Sequence, residues 1–257
     1  MTYNIRHGQG NEVDVGSNLE RTARVIRAAA PDIVALQEVD RFWPRSGCVD
    51  QPAELAALLG MDACYGANLI GAGGPGSEYG VAILSRYPLV RSYATTLPAF
   101  DGWEPRGLLE ARIAVPGAGE IVVFTTHLQV GQRGRALEGQ RQREAQARVV
   151  ARRISETDRP AILTGDFNAD PGDAELSPLR STDLGLIDAW RAAGEGAGGA
   201  TIPCHPECEP ANRIDAIFVT RRLAVTRVEV WDDATSRMSS DHFPVIADIE
   251  VRHCGRR

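Results

Sequence analysis

The chain has 257 residues, a length that suits one large α/β domain. Hydrophobic residues make up 43% of the sequence and charged residues 24%, which allows a full core and excludes a disordered chain. The net charge of −6 excludes a protein that holds nucleic acid mainly by bulk positive charge.

The first predicted elements alternate between strand and helix. Residues 2–5 have the pattern of the end of a strand, and we expect that strand to begin upstream of the given sequence. Ser17 and Glu20 have the spacing of a capping box, after which apolar residues recur at helical spacing until Pro31 ends the helix. The apolar run over residues 32–38 is typical of a strand buried on both faces.

The same two patterns continue along the chain. Further buried strands are predicted at residues 80–84, 121–126, 161–164 and 214–219. Helical spacing predicts a helix over about 140–154 and a shorter one that begins near residue 51. Strand pairs without an intervening helix are predicted for 89–96 with 108–115, and for 224–230 with 245–251. Residues 192–200, rich in Gly and Ala, predict a loop. This mixed order predicts one α/β domain over residues 1–257, built of sheets packed on each other.

The cysteine content and the start of the chain predict the cellular compartment. Five cysteines are too few for a disulfide framework at this length, and their odd number favours a reduced protein. Three interpretations of Cys204 and Cys208 are open: a zinc half-site, a local disulfide or two free thiols. No second ligand pair for zinc is evident in the sequence. No secretory signal is visible, and no apolar run approaches the roughly 20 residues of a membrane span. We expect a cytoplasmic monomer without a transmembrane segment.

Several predicted strands end in a polar residue that a core does not need. These residues are Glu38, His127, Asp166 with Asn168, and Asp215, and the pair Asp241-His242 precedes the last strand. Ligands gather at strand ends in open α/β sheets, so we expect these side chains to converge. Two carboxylates about 4 Å apart repel by roughly 4 kcal/mol at an effective dielectric near 20, which implies proton sharing or a bound divalent cation. Hard oxygen ligands favour Mg²⁺ or Mn²⁺ over zinc and suit phosphoryl chemistry.

The histidines in this set have two interpretations each. A histidine that donates one ring N–H to a carboxylate is fixed in orientation and raised in basicity, which suits acid–base work. The alternative for His127 is a core histidine bonded to a backbone carbonyl, and the alternative for Asp241-His242 is a helix cap or turn. For Asp215 the alternative is a solvated acid, against which its place between Ile214 and Ile217 argues.

Six short motifs occur in the order of the endonuclease/exonuclease/phosphatase superfamily, which the chain resembles from Asn4 to about Val251. They are Tyr3-Asn4-Ile5, Gln37-Glu38, Thr126-His127-Leu128, Gly165-Asp166-Phe167-Asn168, Arg213-Ile214-Asp215 and Ser240-Asp241-His242-Phe243-Pro244. The resemblance implies a DNase I-like, four-layer α/β sandwich, in which two mixed sheets pack face to face with helices outside. It also implies metal-dependent hydrolysis of a phosphate ester.

The resemblance assigns a role to each matching residue. Glu38 would be the principal metal ligand, with Asn4 helping to bind metal or phosphate and Asp241 at the metal edge. Asp166 would orient or deprotonate the attacking water, and Asn168 would donate to the phosphoryl oxygens. His242, oriented by Asp215, would contact the phosphate or take up a proton. His127 resembles the second histidine of the nuclease and sphingomyelinase branches, and Glu78 resembles the acid that pairs with it.

Two arginines bear on the number of metals and on the substrate. Arg6 stands where many nuclease members carry an aspartate, which favours one Mg²⁺ or Mn²⁺ ion over two. Arg6 would meet a substrate phosphate or lie in an exposed loop. Arg106 occupies a position where the family often places an arginine that contacts the substrate. The alternative for Arg106 is a surface salt bridge.

The substrate itself is left open by the sequence. Seven arginines but only two acids lie between residues 133 and 153, a pattern that fits either a polyanion track or a solvated helix face. The functions considered are a small-molecule or sphingomyelinase-like lipid phosphoesterase, a nuclease with nucleic acid as partner, and a non-catalytic binding module. Retention of all six motifs argues against the binding module. The inferred partner is therefore a phosphate-ester substrate.

Overall fold

Apolar strands form two six-stranded sheets in the computed structural model, which describes residues 1–11, 18–196 and 198–252. The first sheet has the spatial order β11 (Leu223–Val230), β12 (Val245–Val251), β1 (Thr2–Asn4), β2 (Ile33–Arg41), β4 (Glu78–Ser85), β3 (Asp62–Ile70). The second has the order β5 (Leu89–Thr96), β6 (Gly107–Val115), β7 (Gly119–His127), β8 (Ala161–Asp166), β10 (Asp215–Thr220), β9 (Leu186–Asp188). The pairs β1/β2 and β7/β8 are parallel and the other pairs are antiparallel, so both sheets are mixed as predicted.

Five α-helices are found in the described part of the chain. They are α1 (Leu19–Ala29), α2 (Gln51–Leu59), α3 (Ala136–Ser155), α4 (Ala189–Ala192) and α5 (Ser236–Ser239). Asn18 caps α1 by accepting a bond from the backbone N–H of Arg21 at 2.9 Å, while Ser17 of the predicted capping box lies outside the described residues. Ala30 ends α1 in the left-handed conformation just before Pro31. No described helix is long and apolar enough to cross a membrane.

Three apolar layers hold the sandwich together, and central strands such as β4 and β7 contribute alternate side chains to two of them. Between the sheets, Ile83 of β4 packs in one cluster with Val123 of β7 and Ile162 of β8. On the outer face of the first sheet, Leu84 packs with residues of α1 and α2. On the outer face of the second sheet, Phe124 packs with residues of α3. The four-layer α/β sandwich expected from the resemblance is confirmed.

The predicted strand and helix positions match the structure apart from their ends. Helix α3 begins four residues before the predicted start at 140. The half-buried strand β3 and the short elements β9, α4 and α5 were not predicted. Cys48, Cys64, Cys204 and Cys208 are free thiols, and Cys254 lies outside the described residues. Cys204 is buried with its Sγ 3.3 Å from the carbonyl of Ser236, whereas Cys208 is exposed. The disulfide alternative for this pair is therefore wrong.

The layer between the sheets gives a stability prediction. Ile83→Ala should lower the free energy of unfolding by about 2–5 kcal/mol, because Ile83 is fully buried and truncation leaves a cavity. Ile70→Ala, in the same sheet but 71% exposed, is the matched control and should cost less than about 0.5 kcal/mol. Urea unfolding monitored by circular dichroism measures both. Equal effects of the two substitutions would contradict this packing.

Candidate active site

Strand register brings three of the predicted residues into one row across the second sheet. His127 is the last residue of β7 and pairs with Asp166, the last residue of β8. Asp166 pairs in turn with Asp215, the first residue of β10. Adjacent side chains in a cross-strand row point to the same face, so the three groups share one end of the sandwich. Asn4 reaches them from the end of β1 in the other sheet.

The buried carboxylate of Asp166 contacts several of the other side chains in this group. Its Oδ2 accepts a hydrogen bond from Asn4 Nδ2 at 3.0 Å and lies 3.4 Å from His127 Nε2 and 3.7 Å from His242 Nε2. Its Oδ1 accepts the backbone N–H of Asn168 at 2.9 Å. Burial, followed by the charge of Asp215, raises the pKa of Asp166 above its usual range. A carboxyl group with a raised pKa is suited to accept a proton near neutral pH.

His242 and Asp215 form the closest pair in the site. His242 Nδ1 lies 2.8 Å from Asp215 Oδ2, and the same oxygen accepts the hydroxyl of Thr201 at 2.6 Å. All three residues are buried. Burial alone would lower the pKa of His242, but the carboxylates of Asp215 and Asp166 outweigh it and raise that pKa to about 10. His242 is therefore an imidazolium held in one orientation, and the helix-cap alternative for it is not what the structure shows.

His127 differs from His242 in protonation state because its neighbour is a cation. Arg106 NH1 lies 3.0 Å from His127 Nδ1, and since a guanidinium can only donate, Nδ1 is the acceptor. Burial and the Arg106 charge hold the pKa of His127 well below its usual value, so the ring is neutral. Its proton then lies on Nε2, which is 3.4 Å from Asp166 Oδ2. Asn168 Nδ2, 3.0 Å from the same ring nitrogen, is itself a donor and gives its hydrogen bond to the carbonyl of Leu128 at 3.1 Å. Arg106 is buried but forms a salt bridge at 3.1 Å with Glu104, whose side chain is 38% exposed, so the salt-bridge alternative is met in part.

Glu38 lies at a bulge within β2, whereas the sequence predicted that Glu38 ends the strand. The pairing with β4 shifts register between Leu36 and Val39, and Glu38 has a φ of 55°. A bulge re-aims a side chain while the strand continues, which explains why β2 runs on to Arg41. Glu38 Oε1 accepts a hydrogen bond from Asn4 at 3.1 Å, and Oε2 lies 3.8 Å from His7 Nδ1. Burial would raise the pKa of Glu38, but the hydrogen bonds of those groups and the charge of His242 keep it well below its usual range.

The remaining predicted residues lie at the edge of this group. Arg6 Nε is 3.6 Å from Asp241 Oδ2, with each side chain more than a third exposed. The backbone N–H of Arg6 donates to Asn4 Oδ1 at 3.0 Å, which fixes the amide so that its nitrogen faces the two carboxylates. Arg6 and Asp241 thus flank the open side of the site.

Glu78 is placed differently from its expected partner. Its Oε2 lies 3.0 Å from Arg41, which also pairs with Asp50 at 2.8 Å. The described contacts of His127 are with Arg106, Asn168 and Asp166, so the structure does not form the His127–Glu78 pair that the resemblance implied. The neighbouring guanidinium of Arg41 is the partner of Glu78, in place of the histidine that the resemblance implied. Thr201 and His7 were absent from the predicted site, and neither lies in a motif that would have indicated contact with these acids.

Two groups of side chains have the chemistry to hold a cation. Glu38 is ionised and about a quarter exposed, and its hydrogen bond to Asn4 uses only one of its two oxygens, so lone pairs remain for a cation. Ligand atoms of Asp166, Asp215 and His242 also lie within 4.8 Å of one another. In that second group the closest atoms of Asp215 and His242 are occupied by each other. Glu38 with its neighbours therefore fits a hard divalent cation better.

Comparison with known proteins extends over nearly the whole chain. Residues 1–242 match the model of the Endonuclease/Exonuclease/phosphatase family. YbhP of Escherichia coli K12 is 29% identical over 239 residues, which cover 88% of this chain and 86% of YbhP. The solved endonuclease/exonuclease/phosphatase of Beutenbergia cavernae is 30% identical, with a TM-score of 0.78 over 97% of this chain and 70% of that one. Mannosyl-6-phosphatase Bt3783 of Bacteroides thetaiotaomicron, at 21% identity, shares the fold with a TM-score of 0.75 over 97% and 98% of the two chains.

The hydroxyl of Thr201 offers a test of the buried His242–Asp215 pair. Thr201→Val should lower the free energy of unfolding by about 1–3 kcal/mol, because it removes a hydrogen bond to a buried carboxylate. Thr201→Ser keeps the hydroxyl and should retain most of the stability. The control is Thr96→Val at an exposed position of β5, expected within about 0.5 kcal/mol of the parent protein. Chemical denaturation measures all three; a Val variant as stable as the Ser variant would argue against this bond.

Proposed function

The chain belongs to the endonuclease/exonuclease/phosphatase family, and from that premise we propose that it is a divalent-metal-dependent phosphoesterase. Members of this family are phosphoesterase hydrolases and generally depend on a divalent metal. The proposed reaction is cleavage of a phosphomonoester or phosphodiester by in-line attack of water. The observation that carries the proposal is the buried Asp166 carboxylate, contacted by Asn4 and by two histidines, one cationic and one neutral.

Asp166 is the proposed water-activating group. Asn4 and the backbone of Asn168 fix its two oxygens, so the carboxylate needs no reorganisation to orient a water molecule. Its raised pKa allows it to accept the proton that the water loses on attack. Carboxylates with this degree of burial are costly to maintain, which supports a functional origin for the arrangement.

His242 is the proposed phosphate-side group. As an imidazolium oriented by Asp215, it can donate a charge-assisted hydrogen bond to a phosphoryl oxygen as negative charge develops there. His127 and the amide of Asn168 can add neutral donors from the adjacent side. Arg106 would act mainly through His127, and Arg6 lies where it can meet a substrate phosphate at the open edge.

Glu38 and Asp241 are the proposed residues that would hold one Mg²⁺ or Mn²⁺ ion. Asn4, which the resemblance also implied for the metal, directs its amide nitrogen to Glu38 and its oxygen to the N–H of Arg6, so it would orient Glu38. When bound, such an ion supplies Lewis-acid stabilisation of charge on the phosphoryl oxygens. Glu38 suits this role because it remains ionised and partly open. A second metal ion would need another carboxylate at the position of Arg6. Arg6 instead places its guanidinium beside Asp241, which supports one ion over two.

A small phosphate ester is favoured over a polynucleotide as substrate, because most arginines of the basic segment are already paired. The salt bridges are Arg135–Glu138, Arg143–Glu175, Arg148–Glu144, Arg152–Glu156, Arg153–Glu110 and Arg153–Glu156. Arginines committed to such pairs have less positive charge to offer a nucleic-acid backbone. The likeness to a mannosyl-6-phosphatase is consistent with a small substrate but rests on the fold alone.

Removal of the metal should abolish activity on whichever phosphate ester is cleaved. The panel is mono- and bis-aryl phosphates, sugar phosphates, inositol phosphates, sphingomyelin, DNA and RNA, each assayed with Mg²⁺, with Mn²⁺ and with excess chelator. We expect cleavage of a small ester, a loss of at least about 100-fold with chelator, and recovery on adding metal. A strong salt dependence with DNA or RNA would instead favour the nuclease alternative, and sphingomyelin cleavage the lipid alternative. Activity that resists chelator would contradict the proposal.

Asp166→Asn should lower kcat by about 10² to 10⁴-fold while the protein stays folded, because the amide keeps the shape but cannot accept the proton. The matched control is Asp170→Asn, an exposed acid in the loop after β8, which should keep the parent activity. Steady-state kinetics on the best substrate of the panel, with circular dichroism to check folding, measure both variants. Retention of activity in Asp166→Asn would remove the proposed role of this carboxylate.

A further inference from the structure

Arg45, in the segment between β2 and α2, has hydrogen-bond donors that the fold does not use. Its Nε and Nη2 donate to the two carboxylate oxygens of Asp40 at 2.8 Å each, and Asp40 is fully buried. Among the residues that the structure describes, Nη1 of Arg45 has no hydrogen-bond partner, and the side chain is 38% exposed. A guanidinium carries five N–H donors, so most of those of Arg45 remain available to a ligand.

The nearby Arg41 shows what a purely structural ion pair looks like in this part of the fold. Its Nε and Nη2 lie 2.9 and 2.8 Å from Asp50 Oδ2, and its Nη1 lies 3.0 Å from Glu78 Oε2. All three nitrogens of Arg41 are therefore engaged, although its exposure of 31% is close to that of Arg45. Ion pairing accounts for the whole of Arg41 but for only part of Arg45.

Arg45 lies on the face of the first sheet that is turned toward the second sheet. Val81 and Ile83 of β4 pack between the sheets, and Tyr79 follows them at the next alternate position, so it points the same way. Asp40 pairs with Tyr79 across the strands and shares that face. The guanidinium carbon of Arg45 lies 5.3 Å from the centre of the Tyr79 ring.

Tyr79 connects Arg45 to the candidate active site. Burial, followed by the charge of Glu38, raises the pKa of Tyr79 well above its usual value, while Arg106 acts on the same hydroxyl in the opposite direction. Both residues therefore lie within electrostatic range of the Tyr79 hydroxyl. Arg106 Nη1 is in turn 3.0 Å from His127. Only Tyr79 and Arg106 separate Arg45 from a histidine of the site, so Arg45 borders the space beside the reacting groups.

The guanidinium of Arg45 is held in place by its surroundings. Its carbon lies 4.2 Å from the centre of the Trp43 ring. The backbone of Gly73 packs closely against the same indole, because a Cβ at Gly73 would come within 2.4 Å of it. Ser46 donates to Asp40 at 2.9 Å, which fixes the carboxylate as well. A side chain already fixed by such contacts loses little conformational entropy when it binds a ligand.

The charges around Arg45 decide which kind of group it can bind. Asp40 compensates the charge of Arg45, and the carboxylates of Glu38 and Glu104 both act on the adjacent Tyr79. A second phosphate on the substrate would be repelled by these carboxylates, and an apolar group would leave the donors of Arg45 unpaired. A hydroxyl group can accept from Arg45 and donate to a carboxylate such as Glu104, which is 38% exposed. Hydroxyl groups therefore fit this edge best.

We propose that Arg45 is a substrate-binding residue that recognises a hydroxylated leaving group. The substrate is then a phosphomonoester of a sugar or polyol ring, and attack of water on phosphorus releases the free polyol and inorganic phosphate. The phosphoryl group would lie at Asp166 and His242, and the ring would extend along Tyr79 to Arg45. This inference rests on the proposed function and narrows its substrate class.

Two substrates that differ in their hydroxyl groups test the inference on the unaltered protein. One is the best cleaved of the 6-phosphates of glucose, mannose and galactose, and the other is (cyclohexylmethyl) phosphate, which has the same ring size and the same CH₂–O–P linkage. We expect kcat/KM to be at least about 10-fold higher for the hexose phosphate, because a site built to bond hydroxyl groups rejects an analogue that lacks them. Steady-state phosphate release measures both.

Arg45→Lys tests the residue itself. The ammonium group can still pair with Asp40, but it lacks the planar fork and its remaining donors. We expect kcat/KM for the hexose phosphate to fall by at least about 10-fold, mainly through KM, and the value for (cyclohexylmethyl) phosphate to fall much less. The matched control is Arg41→Lys, expected to keep both values within about 2-fold of the parent protein. Thermal unfolding followed by circular dichroism checks that each variant is folded.

Several results would overturn the assignment of Arg45. They are equal kcat/KM for the two esters in the parent protein, equal losses on both esters in Arg45→Lys, and the same loss of selectivity in Arg41→Lys. A preference for hexose 1,6-bisphosphate over the monophosphates would make this edge an anion site and contradict the inference as well. Cleavage without selectivity would leave the proposed function standing, whereas failure to cleave any phosphate ester would overturn both.

Discussion

The hydrogen bond from Asn4 to Asp166 is the contact on which the candidate site depends, because it joins the ends of the two sheets. Asn4 belongs to the first sheet and Asp166 to the second, and both side chains are buried. The same amide nitrogen lies 3.1 Å from Glu38, so one donor fixes the spacing of two carboxylates. The apolar layer between the sheets sets their separation and therefore holds this bond at its length.

The two histidines show how neighbours decide the chemistry of identical side chains. Both are buried beside Asp166. His242 is charged because Asp215 lies against its Nδ1, whereas His127 is neutral because Arg106 lies against the corresponding nitrogen. The site thus presents a cationic donor and a neutral donor to one carboxylate, and in the proposed reaction proton acceptance and phosphate recognition would be assigned to different groups.

The acidic overall charge and the basic helix α3 are reconciled by ion pairing within the fold. Arg143 is the clearest case: it is buried, pairs with Glu175 at 2.8 Å, and donates to the carbonyl of Gln129 at 3.0 Å. Gln146 on the same helix face accepts the N–H of Gln129 and donates to the carbonyl of Pro98. These bonds attach two loops to helix α3. The loop after β5 leads to Arg106, and the loop after β7 follows His127. A segment that resembles a polyanion track in sequence is therefore structural support for the site.

Patterns along the chain were enough to predict most of the elements and most of the residues that meet at the site. Apolar runs and helical spacing depend on near neighbours in the chain, and six ordered motifs placed Asn4, Glu38, Asp166, Asp215 and His242 at or beside strands. The bulge at Glu38, the Glu78–Arg41 pair and the hydroxyl of Thr201 on Asp215 were decided by the tertiary structure alone. Each depends on strand register or on contacts between residues far apart in the chain, where a shift of one position exchanges one partner for another. Local pattern carries no information about that choice, whereas packing of the two sheets does.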